Sequence, residues 1–263
     1  MCRMLIAAGE IDVNTILQGA ILMAKDKNNL HELNKEKGLG SWTHGDGWGI
    51  AYLDEKDRWQ LKKSTKAIYN DPAAKELKNM NTNILTLHMR KASVGRISYE
   101  NTHPFTAFEK NLGTVIFCHN GSIKEEISFD PEYKPAGETD SEKLFYSLLT
   151  DFKKMSKTAQ KNAMEKAIQK NLKTYKKLSG TNIILSTKEK TIVAVGKNKF
   201  PLYFKMWLGA GEEKTSSGKT DSKSVIISSE KMKNLPNFSW KLLQRGDIVS
   251  LTHKTLGISF FKD

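Results

Sequence analysis

Cys2 is the residue whose type and place most directly point to chemistry. Removal of an initiator Met, which small second residues permit, would leave α-amine and thiol on one residue. An α-amine has a pKa near 8, so a useful fraction is neutral and can take the thiol proton, directly or through water. Taken alone, Cys2 reads first as a buried cysteine at a strand end. A second group is His119-Asn120-Gly121, where a side-chain amide and a backbone N–H could converge on a developing oxyanion. By itself Asn-Gly is an ordinary turn dipeptide. A third is His88-Met89-Arg90-Lys91-Ala92-Ser93, in which Arg90 offers a planar fork suited to a carboxylate. The fourth is Gly137-Glu138-Thr139-Asp140-Ser141-Glu142, where Asp140 could pair with an ammonium. Its bland role is compensation of a helix dipole. Combined, these residues describe a pocket for an amino acid. Arg90 holds the carboxylate, Asp140 the ammonium, and Cys2 meets a side-chain carbonyl facing Asn120 and Gly121.

Other candidates carry less. His88 and His119 end expected strands and read as structural hydrogen-bonding groups, leaving the α-amine as the base. His103 precedes Pro104 in a loop and shapes the pocket wall. Cys118 points to the opposite strand face from His119 and belongs to the core. The six histidines have no metal-site spacing, so neither a metal nor another cofactor is expected. Gly45, Gly47 and Gly49 run into a strand, so the helix N-terminus that a phosphate loop requires is missing.

The elements that must position these groups follow from the hydrophobic pattern. Arg3–Ala8 reads as a buried strand and Asn14–Lys25 as a helix begun near Asp12 or Asn14. Lys25–His44 reads as a polar loop with room for a short helix. Gly49–Leu53 and Trp59–Lys63 form a hairpin about Asp54–Arg58. Asn70-Asp71-Pro72 starts a helix. Strands are expected at Asn83–Met89 and Thr114–His119, joined by a loop through Asn101, His103 and Pro104. Thr139 and Glu142 form a capping box, and a second helix spans Thr158–Leu178. Further strands are expected at 182–186, 191–195, 202–207, 224–228, 247–251 and 257–261, with Gly209–Lys223 a mobile surface loop. Strands in runs at both ends with helices between them predict antiparallel sheets with segregated helices. No Pro/Ser-rich linker divides residues 1–263, so a single domain is expected.

Composition narrows the function classes. The chain has 263 residues, 38% hydrophobic and 27% charged, which fits a globular protein. No apolar run reaches the ~18–20 residues of a membrane span, and Met4–Ala8 is too short for a signal h-region. Two cysteines give no disulfide framework, so a cytoplasmic setting is expected. The net charge of +13 would suit a nucleic-acid or acidic-partner binder that has lost catalysis. Much of the lysine excess, however, alternates with apolar residues at helical spacing between Lys153 and Lys177. That pattern reads as solvated helix faces.

The ordered set of motifs resembles one family. Cys2 after Met, His44-Gly-Asp-Gly-Trp-Gly49, His88-Met-Arg90 with Ala92-Ser93, Asn101-Thr-His-Pro-Phe105, His119-Asn-Gly121 and Glu138-Thr-Asp-Ser-Glu142 occur in the order of class II glutamine amidotransferases. The likeness is nearest to stand-alone members and runs over about residues 2–260. It implies an α+β, four-layer αββα N-terminal-nucleophile hydrolase fold with two stacked antiparallel sheets. It also implies Cys2 as nucleophile, Asn120 and Gly121 as oxyanion hole, and Arg90 and Asp140 as glutamine anchors, with Ser93 and His88 on the substrate-binding side. Lys91 and Val94 stand where synthase-fused members have Trp and His, and Ser93 stands for Thr. These departures leave the carboxylate clamp intact and keep γ-glutamyl peptides or amides open as substrates beside glutamine. The expected partners are a small-molecule substrate, a separate acceptor or synthase protein, and a second copy of the chain.

Overall fold

The computed structural model describes residues 2–28, 38, 40–158, 161–214 and 220–261. Strand β1 (Arg3–Gly9) leads to helix α1 (Val13–Ala24), whose cap is Asp12, accepting from the Asn14 N–H at 3.1 Å. Next come the hairpin β2 (Trp48–Leu53) and β3 (Trp59–Ser64), and the one-turn helix α2 (Pro72–Lys75), capped by Asp71. A 3-10 turn (Glu76–Asn79) leads to β4 (Ile84–Met89), β5 (Phe105–Glu109) and β6 (Gly113–Ile123). Helices α3 (Asp140–Lys157) and α4 (Ala163–Thr174) precede β7 (Leu178–Ser186) and β8 (Lys190–Asn198). After a 3-10 turn (Pro201–Phe204) come β9 (Trp207–Lys214), β10 (Thr220–Ser228), β11 (Phe238–Leu242), β12 (Ile248–Thr252) and β13 (Ile258–Phe260).

The strands form two antiparallel sheets, ordered β11-β9-β10-β1-β4-β2-β3 and β13-β12-β8-β7-β6-β5. Side-chain alternation assembles them into layers. Met4, Ile6 and Ala8 of β1 meet Cys118, Ile184 and Val193 between the sheets, whereas Leu5 and Ala7 face Ile16, Leu17 and Ala20 of α1. On the far side, Val115 and Phe117 of β6 pack on Leu144, Phe145 and Leu148 of α3 and Ala167 and Ile168 of α4. The result is the expected four-layer αββα arrangement. No helix among the described residues is long and apolar enough to cross a membrane.

Four expectations are corrected. The second helix is shorter than Thr158–Leu178, because Leu178 already pairs with Ile123 as the start of β7. Leu202–Trp207 is a 3-10 turn begun at Pro201, whose missing N–H suits a first helical position, followed by the first residue of β9. Of the stretch Gly209–Lys223, residues 209–214 and 220–223 belong to the paired strands β9 and β10 rather than to a loop, and residues 215–219 lie outside the described residues. The glycines of β9 make room for β11: a Cβ on Gly209 would lie 2.6 Å from the Trp240 ring. Finally, the connection through His103 contains β5, which pairs with β6. Half of the expected Lys25–His44 loop, residues 29–37 and 39, lies outside the described residues.

Candidate active site

Position 2 is where β1 leaves its ladder. Arg3 is the last residue of β1 paired with β4, opposite Met89, so Cys2 lies beside the continuation of β4 at Arg90 and Lys91. The Lys91 N–H donates to Cys2 Sγ at 3.4 Å, and the thiol reaches the Lys91 carbonyl at 3.6 Å. The Cys2 backbone nitrogen donates to Asn120 Oδ1 at 2.9 Å. Since the oxygen end of that amide is committed to Cys2, the NH2 end is the donor available to a further group.

Asn120 and Gly121 are not at a turn, as the sequence indicated, but inside β6, opposite Asn182 and Thr181 of β7. Pairing with β7 overrides the turn preference of Asn-Gly. The glycine has a steric reason as well. A Cβ at 121 would fall 1.7 Å from the Gly180 carbonyl oxygen and 2.8 Å from His119 Nε2.

The loop after β4 forms the opposite wall. The Arg90 N–H donates to the Gly47 carbonyl at 2.8 Å, and Asp46 Oδ2 accepts from the Ala92 N–H at 2.8 Å. The buried Arg90 guanidinium donates to the carbonyls of Arg96 (3.1 Å), Val94 (3.1 Å) and Gly95 (3.2 Å). Asn101 ties the same loop to the start of α3, reaching the Arg96 carbonyl at 3.1 Å and accepting from the Glu138 N–H at 2.9 Å. Ser93 Oγ lies 2.9 Å from Ser122 Oγ. Asp140 opens α3, and its Oδ2 accepts from the Ile123 N–H at 2.6 Å. Thr139 caps that helix as expected, but Glu142 accepts from Ala136 and Gly137 rather than closing the box.

Cys2, Arg90, Ser93, Gly121 and Asp140 line one small cavity of about 20 Å³, together with Lys91, Asn101, His103, His119 and Ser141. That is room for about one water. Of the other expected site residues, Asn120 touches the Cys2 nitrogen without lining the cavity, and His88 stands apart from it. His88 is fully buried behind this wall, its ring tilted at 34° against that of His103 with centroids 4.2 Å apart. Neither ring nitrogen has a close hydrogen-bond partner, but the His119 backbone beside the ring favours its protonated form. Burial, helped by the Arg90 charge, depresses its pKa to about 3, so it is neutral. Burial likewise lowers His103 far below its usual value. His119 is lowered by burial with Asp140 opposing, and its Nδ1 lies 2.8 Å from Ser141 Oγ.

Residues 29–206, more than half of the chain, match the family model of class II glutamine amidotransferases. The chain belongs to that family. The amidotransferase segment matched begins after Cys2, so position 2 rests on geometry alone. YafJ of Escherichia coli, provisionally named a glutamine amidotransferase, is 35% identical over 117 residues, 43% of this chain and 45% of that one. A protein of Haemophilus influenzae with the same provisional name is 28% identical over 217 residues, 78% of this chain and 73% of its own. The aligned stretch thus spans less than half of YafJ. Glutamine phosphoribosylpyrophosphate amidotransferase from B. subtilis superposes with a TM-score of 0.62 at 16% identity, over 99% of this chain and 49% of its own. At that identity the likeness shows the fold, which is the expected N-terminal-nucleophile type.

Sequence reasoning quoted Lys91 and Asp46 within motifs but gave neither a role in the site. Both act here through contacts that only the folded register creates, and the side-chain type of Lys91 gives no signal for a role played by its backbone. Asn101 stood inside a recognised motif, yet its task of tying two loops together is visible only in three dimensions.

Proposed function

We propose that this chain is a cysteine amidohydrolase that removes the side-chain amide of glutamine, or of a γ-glutamyl compound, through a thioester on Cys2. The observation that carries the reading is the hydrogen bond from the Cys2 nitrogen to Asn120. It ties the would-be α-amine to the residue proposed as oxyanion donor, while the Lys91 N–H holds the sulfur.

In this reading the thiol proton passes to the α-amine and the sulfur attacks the amide carbon. The oxyanion is met by the Asn120 NH2 and the Gly121 N–H. Collapse expels ammonia, which takes its proton from the α-ammonium. Water, activated by the same amine, then hydrolyses the thioester to the free carboxylate. Arg90 and Asp140 hold the substrate's carboxylate and ammonium, and Ser93 lines their side of the pocket. A cavity of about 20 Å³ cannot hold glutamine, so the loop after β4 must yield. The carbonyls of Val94, Gly95 and Arg96 occupy the fork that a carboxylate would take.

Ammonia use requires an acceptor or synthase partner, and a reducing cytoplasm suits a free thiol. The test is a chain with Met1 forced to remain, verified by intact mass. Its residue-2 nitrogen is an amide and cannot accept a proton, so hydrolysis should vanish while the fold persists. Full activity with Met1 present would refute the mechanism. Rates on glutamine and on γ-glutamyl peptides, measured side by side, assign the substrate.

A further inference from the structure

Three groups of Cys2 are held by three different parts of the fold, and the third has no place in the proposed chemistry. The nitrogen is held by Asn120 and the sulfur by Lys91. The carbonyl accepts from Arg3 Nη1 at 3.3 Å. Arg3 is only 1% exposed, and its Nε meets Glu230 Oε1 at 2.5 Å. The other oxygen of Glu230 accepts from Asn28 Nδ2 at 2.9 Å. Asn28 is itself fully buried, donating to the Lys231 carbonyl at 2.6 Å and accepting from the Lys233 N–H at 2.9 Å.

We propose that the Arg3–Glu230 pair is a positioning device for Cys2, fixing the peptide plane that follows the nucleophile. The claim rests on the assignment of Cys2 above. Alternation along β1 places residue 3 on the face of Leu5 and Ala7, where an apolar side chain would extend the stripe. A buried ion pair is a poor way to stabilise such a spot, since its desolvation offsets much of the attraction and apolar replacements often fold as well or better. What an apolar residue cannot supply is the donor to the Cys2 carbonyl. The ladder between β1 and β10 ends at Leu5 and Ser228. Beyond it, Ser229 clasps Met4, its N–H donating to the Met4 carbonyl at 3.0 Å and its Oγ accepting from the Met4 N–H at 3.1 Å. Glu230 extends that clasp by one residue, through Arg3, to Cys2. The peptide unit is planar, so holding its carbonyl stops Cys2 from pivoting about ψ. Misplacement of a reacting group by about 1 Å can cost on the order of 100-fold in rate.

The test compares Glu230→Gln and the double variant Arg3→Met/Glu230→Met with the parent. Glutamine hydrolysis, thermal unfolding and carbamidomethylation of Cys2 by iodoacetamide at fixed pH are measured on each. The expected result is a kcat at least tenfold lower in both variants with KM within twofold, and a melting temperature of the double variant close to that of the parent. Iodoacetamide labelling of Cys2 should change in rate as well, because the sulfur is no longer held in one place. A folded double variant with parental kcat overturns the proposal. So does a double variant that cannot fold, which would assign the pair to stability. If the parent hydrolyses neither glutamine nor a γ-glutamyl peptide, the amidohydrolase reading fails, and labelling still decides. Parental labelling rates in the folded double variant then refute the positioning role, and altered rates support it.

Discussion

The two cysteines occupy opposite situations in one sandwich. Cys118 sits in the middle of β6, paired with Ile184 and surrounded by Met4, Ile6 and Val193, with no exposed surface. Burial pushes its thiol well above the usual range, so it is inert. Cys2 is half-buried just where β1 runs out, and its neighbours are backbone amides, an asparagine and an arginine. The difference teaches that a thiol gains chemistry in this fold from a strand end. There the ladder no longer uses up the backbone, and polar groups from several strands converge.

The sharpest way to break the comparison is the same substitution at both positions. Cys2→Ser should remove hydrolysis to the limit of detection in an ammonia-release assay while leaving the unfolding curve unchanged. Cys118→Ser should leave kcat intact but lower stability by about 1–3 kcal/mol in denaturant titration, since it buries a hydroxyl among apolar side chains. Hydrolysis surviving in the first, or failing in a folded second, would reverse the assignment.

Arg90→Lys comes next. Lysine keeps the charge but loses the planar fork, and a loss of ~1.5–3 kcal/mol in substrate binding is expected from a raised KM under rapid equilibrium. An unchanged KM would leave Arg90 as a loop fastener only. Asp140→Asn should lower kcat/KM about tenfold, equivalent to ~1.4 kcal/mol, for substrates bearing an α-amine. Substrates without that amine should lose little. Equal losses for both kinds would return Asp140 to compensating the helix dipole and binding the Ile123 N–H.

The remaining expected effect is on acid stability. His88 and His103 are held neutral by burial, with His88 near 3 against an ordinary 6.5. The unfolded chain therefore takes up protons below about pH 6.5 that the folded chain refuses. The stability these groups contribute is full above pH 6.5 and is lost as pH falls toward 3. Each histidine contributes a slope of up to ~1.4 kcal/mol per pH unit. Urea midpoints measured from pH 7 to 5 should fall accordingly, and His103→Phe should flatten the slope. A pH-independent midpoint would contradict the burial of these rings.

How much of this was legible in the sequence depended on which forces fix each part. The segment Met4–Ala8, the β2–β3 hairpin and the caps at Asp12, Asp71 and Thr139 follow local rules, and the structure has them. Strands β5 and β11 were invisible. Phe105–Glu109 and Phe238–Leu242 alternate between buried or half-buried and exposed positions over only five residues each, and pairing, with the adjacent β6 for the first and with β9 for the second, makes them strands. At the site, Cys2, Arg90, Gly121 and Asp140 stood out by type and do line one cavity. The Arg3–Glu230 pair did not, because 227 residues separate its members and no spacing rule reaches that far.

The position of β1 bears on how the chain is made. Its two ladder partners are β4, complete by Met89, and β10, which begins only at Thr220. Such a strand cannot be paired on both edges while the chain is still emerging from the ribosome, because one of its neighbours is among the later elements to be synthesised. For most of translation the amino-terminal strand therefore lacks its β10 neighbour. Any processing of Met1 has that interval in which to act.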